Sequence, residues 1–125
     1  MISIIGKKGR GSNGAEAITV IQKHNFSFLF FYEPVLGGWG NTRSAIRLSK
    51  QGLEQDFPTT NGILSDTEYR EFLVEFANDF IKVSRVGEPP FMSFQNPTSF
   101  DVAYIGISSG WGSDGYWQFC GFGKC

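Results

Sequence analysis

The sequence predicts an all-β chain folded as an antiparallel β-sandwich of the jelly-roll kind, and three observations predict it. Aromatic residues make up 16% of the chain, and thirteen of them are Phe; aromatic and β-branched side chains suit the pleated, half-buried surface of a sheet. Sixteen glycines break the sequence into short runs, and long alanine- or leucine-rich stretches are few. Apolar segments of strand length recur along the chain with turn residues between them. At 125 residues the chain is most simply a single domain, 1–125, large enough to bury one core without help from metals or many disulfides.

Taken in order, residues 1–15 form a glycine-rich N-terminal segment whose basic cluster, Lys7, Lys8 and Arg10, reads as a solvated, mobile loop. Ala17 to Ile21 and Phe26 to Glu33 are β-branched and aromatic, with Lys23-His24-Asn25 between them, and predict a strand pair. The nearly continuous apolar run Phe26 to Tyr32 predicts a strand covered on both faces. Arg43–Ser49 and Leu53–Phe57 flank Gln51-Gly52 as a hairpin would. Ser65-Asp66-Thr67-Glu68 has the form of a capping box and predicts at most one short helical turn near Ser65–Arg70. Tyr69, Phe72, Leu73, Phe76 and Phe80 lie at helical spacing, yet Phe72, Val74 and Phe76 also alternate; strand is the reading adopted. Asn78-Asp79 then makes a hairpin turn between 72–77 and 80–86, and Gly87-Glu88-Pro89-Pro90 ends it. Three further strands are expected around 91–94, 100–108 and 115–122.

Eleven basic and twelve acidic residues give a net charge of −1, so no broad cationic field exists to hold a phosphate backbone, and nucleic acid is not an expected partner. No apolar stretch approaches a membrane span, so membrane insertion is not expected either. The apolar start before Gly6 is too short for a signal-peptide core; the expectation is either that a leader has been removed or that the protein lacks the usual secretion signal. Cys120 and Cys125 both lie in the last six residues. A short bridge between them would tie down the tail, while free thiols or a bond between chains remain open. Asn25-Phe26-Ser27 fits the N-glycosylation pattern, but it opens an apolar run and is expected to stay unmodified.

The tripeptide Gly-Trp-Gly occurs twice, around Trp39 and Trp111, and each copy continues into small polar residues. Flanking glycines cannot shield an indole, and a ring in a glycine turn beside hydrogen-bonding groups suits a flat polar ligand such as a sugar. The alternative is that the glycines supply positive φ and each indole folds back as a lid on the core.

The segment Tyr32-Glu33-Pro34-Val35-Leu36-Gly37-Gly38-Trp39-Gly40-Asn41-Thr42-Arg43-Ser44-Ala45-Ile46-Arg47 resembles the signature of the farnesoic acid O-methyltransferase-like domain. Tyr104 to Trp117, with Gly110-Trp111-Gly112-Ser113-Asp114 at its centre, is similar to the closing motif of that family, and Gly87 to Phe94 to the segment before it. The likeness covers most of the chain from about Phe26. Leu73, Phe76 and Phe94 stand where tryptophans are expected, apolar exchanges that should keep the core. The resemblance implies an antiparallel β-sandwich found in invertebrate and secreted multidomain proteins, and hence an extracellular or secreted setting.

Methyl transfer from S-adenosylmethionine usually needs a strand, a glycine loop and a helix. Gly6 to Gly11 is the one candidate loop, and the segment after it reads as strand. His24 is the sole histidine and reads as a turn residue; two terminal cysteines are too few to close a zinc site. Glu33, Asp56, Asp101 and Asp114 offer carboxylates, but no spacing selects a hydrolytic pair. The expectation is therefore a lectin-like module with no catalysis, cofactor or metal. It would recognise glycans of glycoproteins or glycolipids, with galactose the first guess by analogy, and multivalent binding would require a homo-oligomer. Trp39 and Trp111 would stack on the sugar, while Asn41, Arg43 and Asp114 meet its hydroxyls. Arg47 and Glu33 are ligand candidates too, or a charged pair that fixes neighbouring strands. A methyltransferase acting on farnesoic acid and a protein-interaction module are the alternatives.

Overall fold

The computed structural model describes residues 2–9, 16–22, 31–49, 52–99, 102–110 and 114–121. Its strands are β1 (Ile2–Lys8), β2 (Glu16–Gln22), β3 (Phe31–Gly37), β4 (Arg43–Arg47), β5 (Glu54–Asp56), β6 (Arg70–Ala77), β7 (Phe80–Arg85), β8 (Pro90–Gln95), β9 (Val102–Ser109) and β10 (Gly115–Gly121). One short helical turn, α1 (Gly38–Asn41), joins β3 to β4. The strands form two five-stranded sheets, β10-β1-β6-β7-β8 and β5-β4-β3-β2-β9, with every described pairing antiparallel. The predicted antiparallel sandwich is the observed one.

Both sheets feed one core. Ile4, Phe72, Val74, Ile81, Val83 and Met92 come from the first sheet, and Tyr32, Leu36 and Ile46 from the second. Fully burying such side chains contributes about 1.5–3 kcal/mol each. The alternation within β6 and β7 is the strand period at work: Phe72, Val74, Ile81 and Val83 are buried while Lys82 is exposed. Phe76 and Phe94 pack against the core as expected of apolar exchanges, whereas Leu73 lies in register with Ser3 and Ser84 on the alternate row. Tyr32 to Gly37 is buried throughout; of the run Phe26 to Tyr32, expected to be covered on both faces, only Phe31 and Tyr32 are among the described residues, half-buried and buried. Burial raises the Tyr32 phenol above its ordinary value, a shift that a hydrogen bond with Asn96 partly offsets.

Two expectations are corrected. The N-terminal segment is not a loop: Ile2–Lys8 is a strand in the interior of the first sheet, paired with β6 on one side and β10 on the other. Its glycine explains the misreading. A Cβ on Gly6 would lie 2.3 Å from the Trp117 ring, so Gly6 is a packing glycine and not a loop residue. The helical turn expected near Ser65–Arg70 lies instead at Gly38–Asn41. Ser65 Oγ does accept the backbone N–H groups of Thr67 and Glu68, at 3.1 and 3.2 Å. The Glu68 carboxylate, however, pairs with Arg70 at 3.0 Å, and the chain enters β6 at once. His24, Asn25, the run 26–30, Trp111 and Cys125 lie outside the described residues. Cys120 is disulfide-bonded, and Cys125 is the one other cysteine of the sequence. Among the described residues no helix is long and apolar enough to cross a membrane.

Candidate ligand-binding face

Strand register gathers the candidate residues. Leu36 of β3 and Ser109 of β9 both pair with Glu16 of β2, so the chain enters the two Gly-Trp-Gly segments from the same level of one sheet. Two strand spacings separate Leu36 from Ser109, about 10 Å. The first segment builds α1 from left-handed backbone: Gly37 has φ 65°, Trp39 φ 51° and ψ 49°, Gly40 φ 70°, and Asn41 φ 64°. Glycine accepts this freely and Asn tolerates it, but Trp39 does not. A bulky residue held there is under about 1–3 kcal/mol of strain.

The surroundings over-determine the turn. The Asn41 amide bonds Leu64 both ways, Nδ2 donating to its carbonyl at 2.7 Å and Oδ1 accepting its N–H at 3.1 Å. Gly62 and Thr60 donate backbone N–H groups to the carbonyls of Asn41 and Thr42. The Thr42 hydroxyl donates to the Trp39 carbonyl at 2.6 Å. Ser44 Oγ accepts the Gly37 N–H and shares a hydrogen bond with Thr60. Residues 57–64 thus form a brace that holds the turn in its strained shape.

The Trp39 indole is neither free nor a lid. It remains 44% exposed, leaning on Phe57 with ring centroids 4.6 Å apart and tilted 59°. Strand alternation puts Arg43, Ala45 and Arg47 of β4 on the face away from Ile46 and the core. The Arg43 guanidinium lies 3.6 Å from the Phe57 centroid, and that of Arg47 lies 5.4 Å from the Trp39 centroid. The result is a layered stack of guanidinium, phenyl, indole and guanidinium, in which cation–π attraction supports each ring.

Arg43 also donates to the Phe57 carbonyl at 2.6 Å. Glu33 pairs with Arg47 across β3 and β4 in register, with 3.7 Å between charged atoms; of the two readings of that pair, the strand-fixing contact is present. Arg47 also reaches Glu54 of β5 at 3.3 Å. The Glu54 carboxyl is held below the usual carboxylate range by a backbone hydrogen bond at its own position and then by the hydrogen bond and charge of Arg47, against some desolvation. Arg47, against the half-exposed indole, therefore holds two carboxylates, while Arg43 lies over the neighbouring Phe57.

Of the predicted residues, Trp39, Asn41, Arg43, Arg47 and Glu33 are brought together. Asn41 serves the turn through both ends of its amide. Asp114 is exposed just before β10, its carbonyl accepting the Gly9 N–H at 2.9 Å. Phe57 completes the stack and Glu54 the ion pairs of Arg47, and both were missed; the one sequence signal for Glu54 was its place in the hairpin partner of Arg47. Among the described residues no group of three or more His, Cys, Asp or Glu is placed to hold a metal ion.

The profile of the farnesoic acid O-methyltransferase family matches residues 15–121, spanning both Gly-Trp-Gly segments. The chain belongs to that family. The match starts after β1, although β1 is an interior strand of the first sheet. Comparison with curated proteins and with solved structures returns no significant match.

Proposed function

We propose that the Trp39 end of the sandwich binds glycans of glycoproteins or glycolipids and that the module recognises them without turning them over. The observation that carries this reading is the backbone of Trp39: a large aromatic is kept in a left-handed conformation that only a braced turn sustains, and it stays 44% exposed. Strain of this kind collects at ligand-binding sites. The indole offers a flat apolar face to the C–H side of a pyranose, and the Arg43 guanidinium and ionised Glu54 present donors and acceptors for hydroxyls. Galactose, with one evenly apolar face, is the first sugar to try. An extracellular or secreted setting fits such ligands. In a glycan array with monosaccharide inhibition, Trp39→Ala should weaken binding at least tenfold; retention of binding by Trp39→Ala and Trp111→Ala combined would refute the site.

A second reading is favoured by the family's own description, which points to methyl transfer onto farnesoic acid. A long apolar acid could set its carboxylate at Arg43 and its chain along Trp39 and Phe57. S-adenosylmethionine has a less evident place. The space at Gly6, where its glycine loop would begin, is filled by Trp117, and the next described element is the strand β2. Calorimetry with S-adenosylmethionine and a mass-spectrometric assay for methyl farnesoate separate the readings. Saturable heat with product formation would replace the glycan reading by the enzymatic one.

A further inference from the structure

The two lateral edges of the sandwich are finished in opposite ways. On one, β5 is three residues long, with Glu54 and Asp56 among them, and β8 begins at Pro90. Asp56 Oδ2 also accepts the Ser93 N–H at 2.9 Å, so a carboxylate from one sheet occupies a backbone donor on the edge of the other. Shortness, charge, proline and covering are the devices that stop an edge from pairing further. On the opposite side, β10 and β9 are seven and eight residues long, and their sequences contain no charged residue and no proline. Among the described residues β10 pairs only with β1, and β9 only with β2. Tyr116 and Phe119 stand 58% and 47% exposed on β10.

About Gln118 the sequence of β10, Gly-Tyr-Trp-Gln-Phe-Cys-Gly, sets glycine against glycine and aromatic against aromatic, with Tyr116 against Cys120 as the unlike pair. A strand that pairs antiparallel with its own copy around a two-fold axis sets each residue against its mirror position, so self-pairing centred on Gln118 places Gly115 opposite Gly121 and Trp117 opposite Phe119. We infer that a second copy of this chain docks here, β10 against β10 about a two-fold axis at Gln118, making one continuous ten-stranded sheet. The aromatic match is what selects this register. Trp117 is already wedged on the core side against Phe72, with centroids 6.5 Å apart, and Phe119 pairs with the core residue Ile4 of β1. Each half-exposed Phe119 would be covered by Trp117 of the other copy, twice by symmetry. An uncharged strand meets its own copy without like-charge repulsion, and the glycine at either end leaves the backbones free to approach. The interface is independent of the Trp39 turn and of its ligand.

Light scattering on the full chain across a dilution series, without added ligand, tests the interface. The expected mass at high concentration is twice the 13.9 kDa of one chain, falling to that of one chain on dilution. Gln118→Lys, which sets two like charges beside each other at the axis, should halve the mass with an unchanged far-UV circular dichroism spectrum. Gln118→Cys should form a covalent dimer under mild oxidation, because a two-fold axis brings position 118 next to itself, whereas Lys82→Cys on an interior strand should not. A single-chain mass at every concentration, a dimer that persists in Gln118→Lys, or no cross-link through Gln118→Cys would each overturn the proposal.

Discussion

Trp39 and Trp117 both depend on glycine, and they use opposite properties of it. At Trp117 glycine supplies volume: Gly6, on the neighbouring strand, leaves the space that the indole fills on its way to Phe72. At Trp39 glycine supplies conformation: Gly37 and Gly40 take φ 65° and 70°, and a Cβ on Gly40 would meet nothing within 4 Å. One ring is drawn inward by a gap, and the other is carried outward by a turn. A glycine beside a tryptophan therefore says nothing about the ring's exposure until it is known which property is in use.

The comparison can be broken at either end, most forcefully at the packed one. Trp117→Ala should lower unfolding free energy by about 3 kcal/mol, the low end for a buried aromatic because the ring is only partly covered. Gly6→Ala should lower it by about 2 kcal/mol through overpacking. Denaturant titration measures both, and changes within experimental error would show that Gly6 is not there for volume. Asn41→Ala should lose about 1–2 kcal/mol, since the Leu64 N–H and carbonyl lose their partners.

A finer test isolates conformation from contact at Trp39. Trp39→Ala and Trp39→Gly lose the same ring, but only glycine adopts φ 51° without penalty, so the glycine variant should be the more stable by about 1 kcal/mol. Equal stabilities would remove the strain from which the binding site is inferred. The smallest expected effect is electrostatic. Because the Glu54 carboxyl is depressed in the folded chain, its contribution is present above the unfolded carboxylate value, about 4.3, and is lost as pH falls through the lower folded value. Unfolding midpoints measured against pH should show a flatter acid limb for Glu54→Gln than for the parent chain.

Much of this was legible in the residues. Asn78-Asp79 between two alternating runs is a hairpin before any coordinates are known, and Glu33 and Arg47 were readable as cross-strand partners because both lie in segments that alternate or bury as strands do. Three features were not. β1 carries Gly6, Lys7 and Lys8 and runs into Gly9, a loop's composition, and its strand character rests on β6 and β10, which come much later in the chain. The Ser65 box holds its two amide bonds, but the Lys8 N–H claims the Ser65 carbonyl at 2.9 Å, and β6 must begin at Arg70 to meet Gly6. Phe57 and Glu54 enter the site only through the pairing of β4 with β5, whose register shifts between Ile46 and Arg47.

By itself, then, the amino-acid order determined the all-β class, the hairpins and the family, since period, turn residues and motif are local properties of a chain. Which glycine serves a turn and which serves a neighbour's ring, which strand lies in the middle of a sheet, and which edge has no further partner among the described residues were decided by tertiary structure alone. Each of those depends on contacts between segments far apart in sequence, and no local pattern records them.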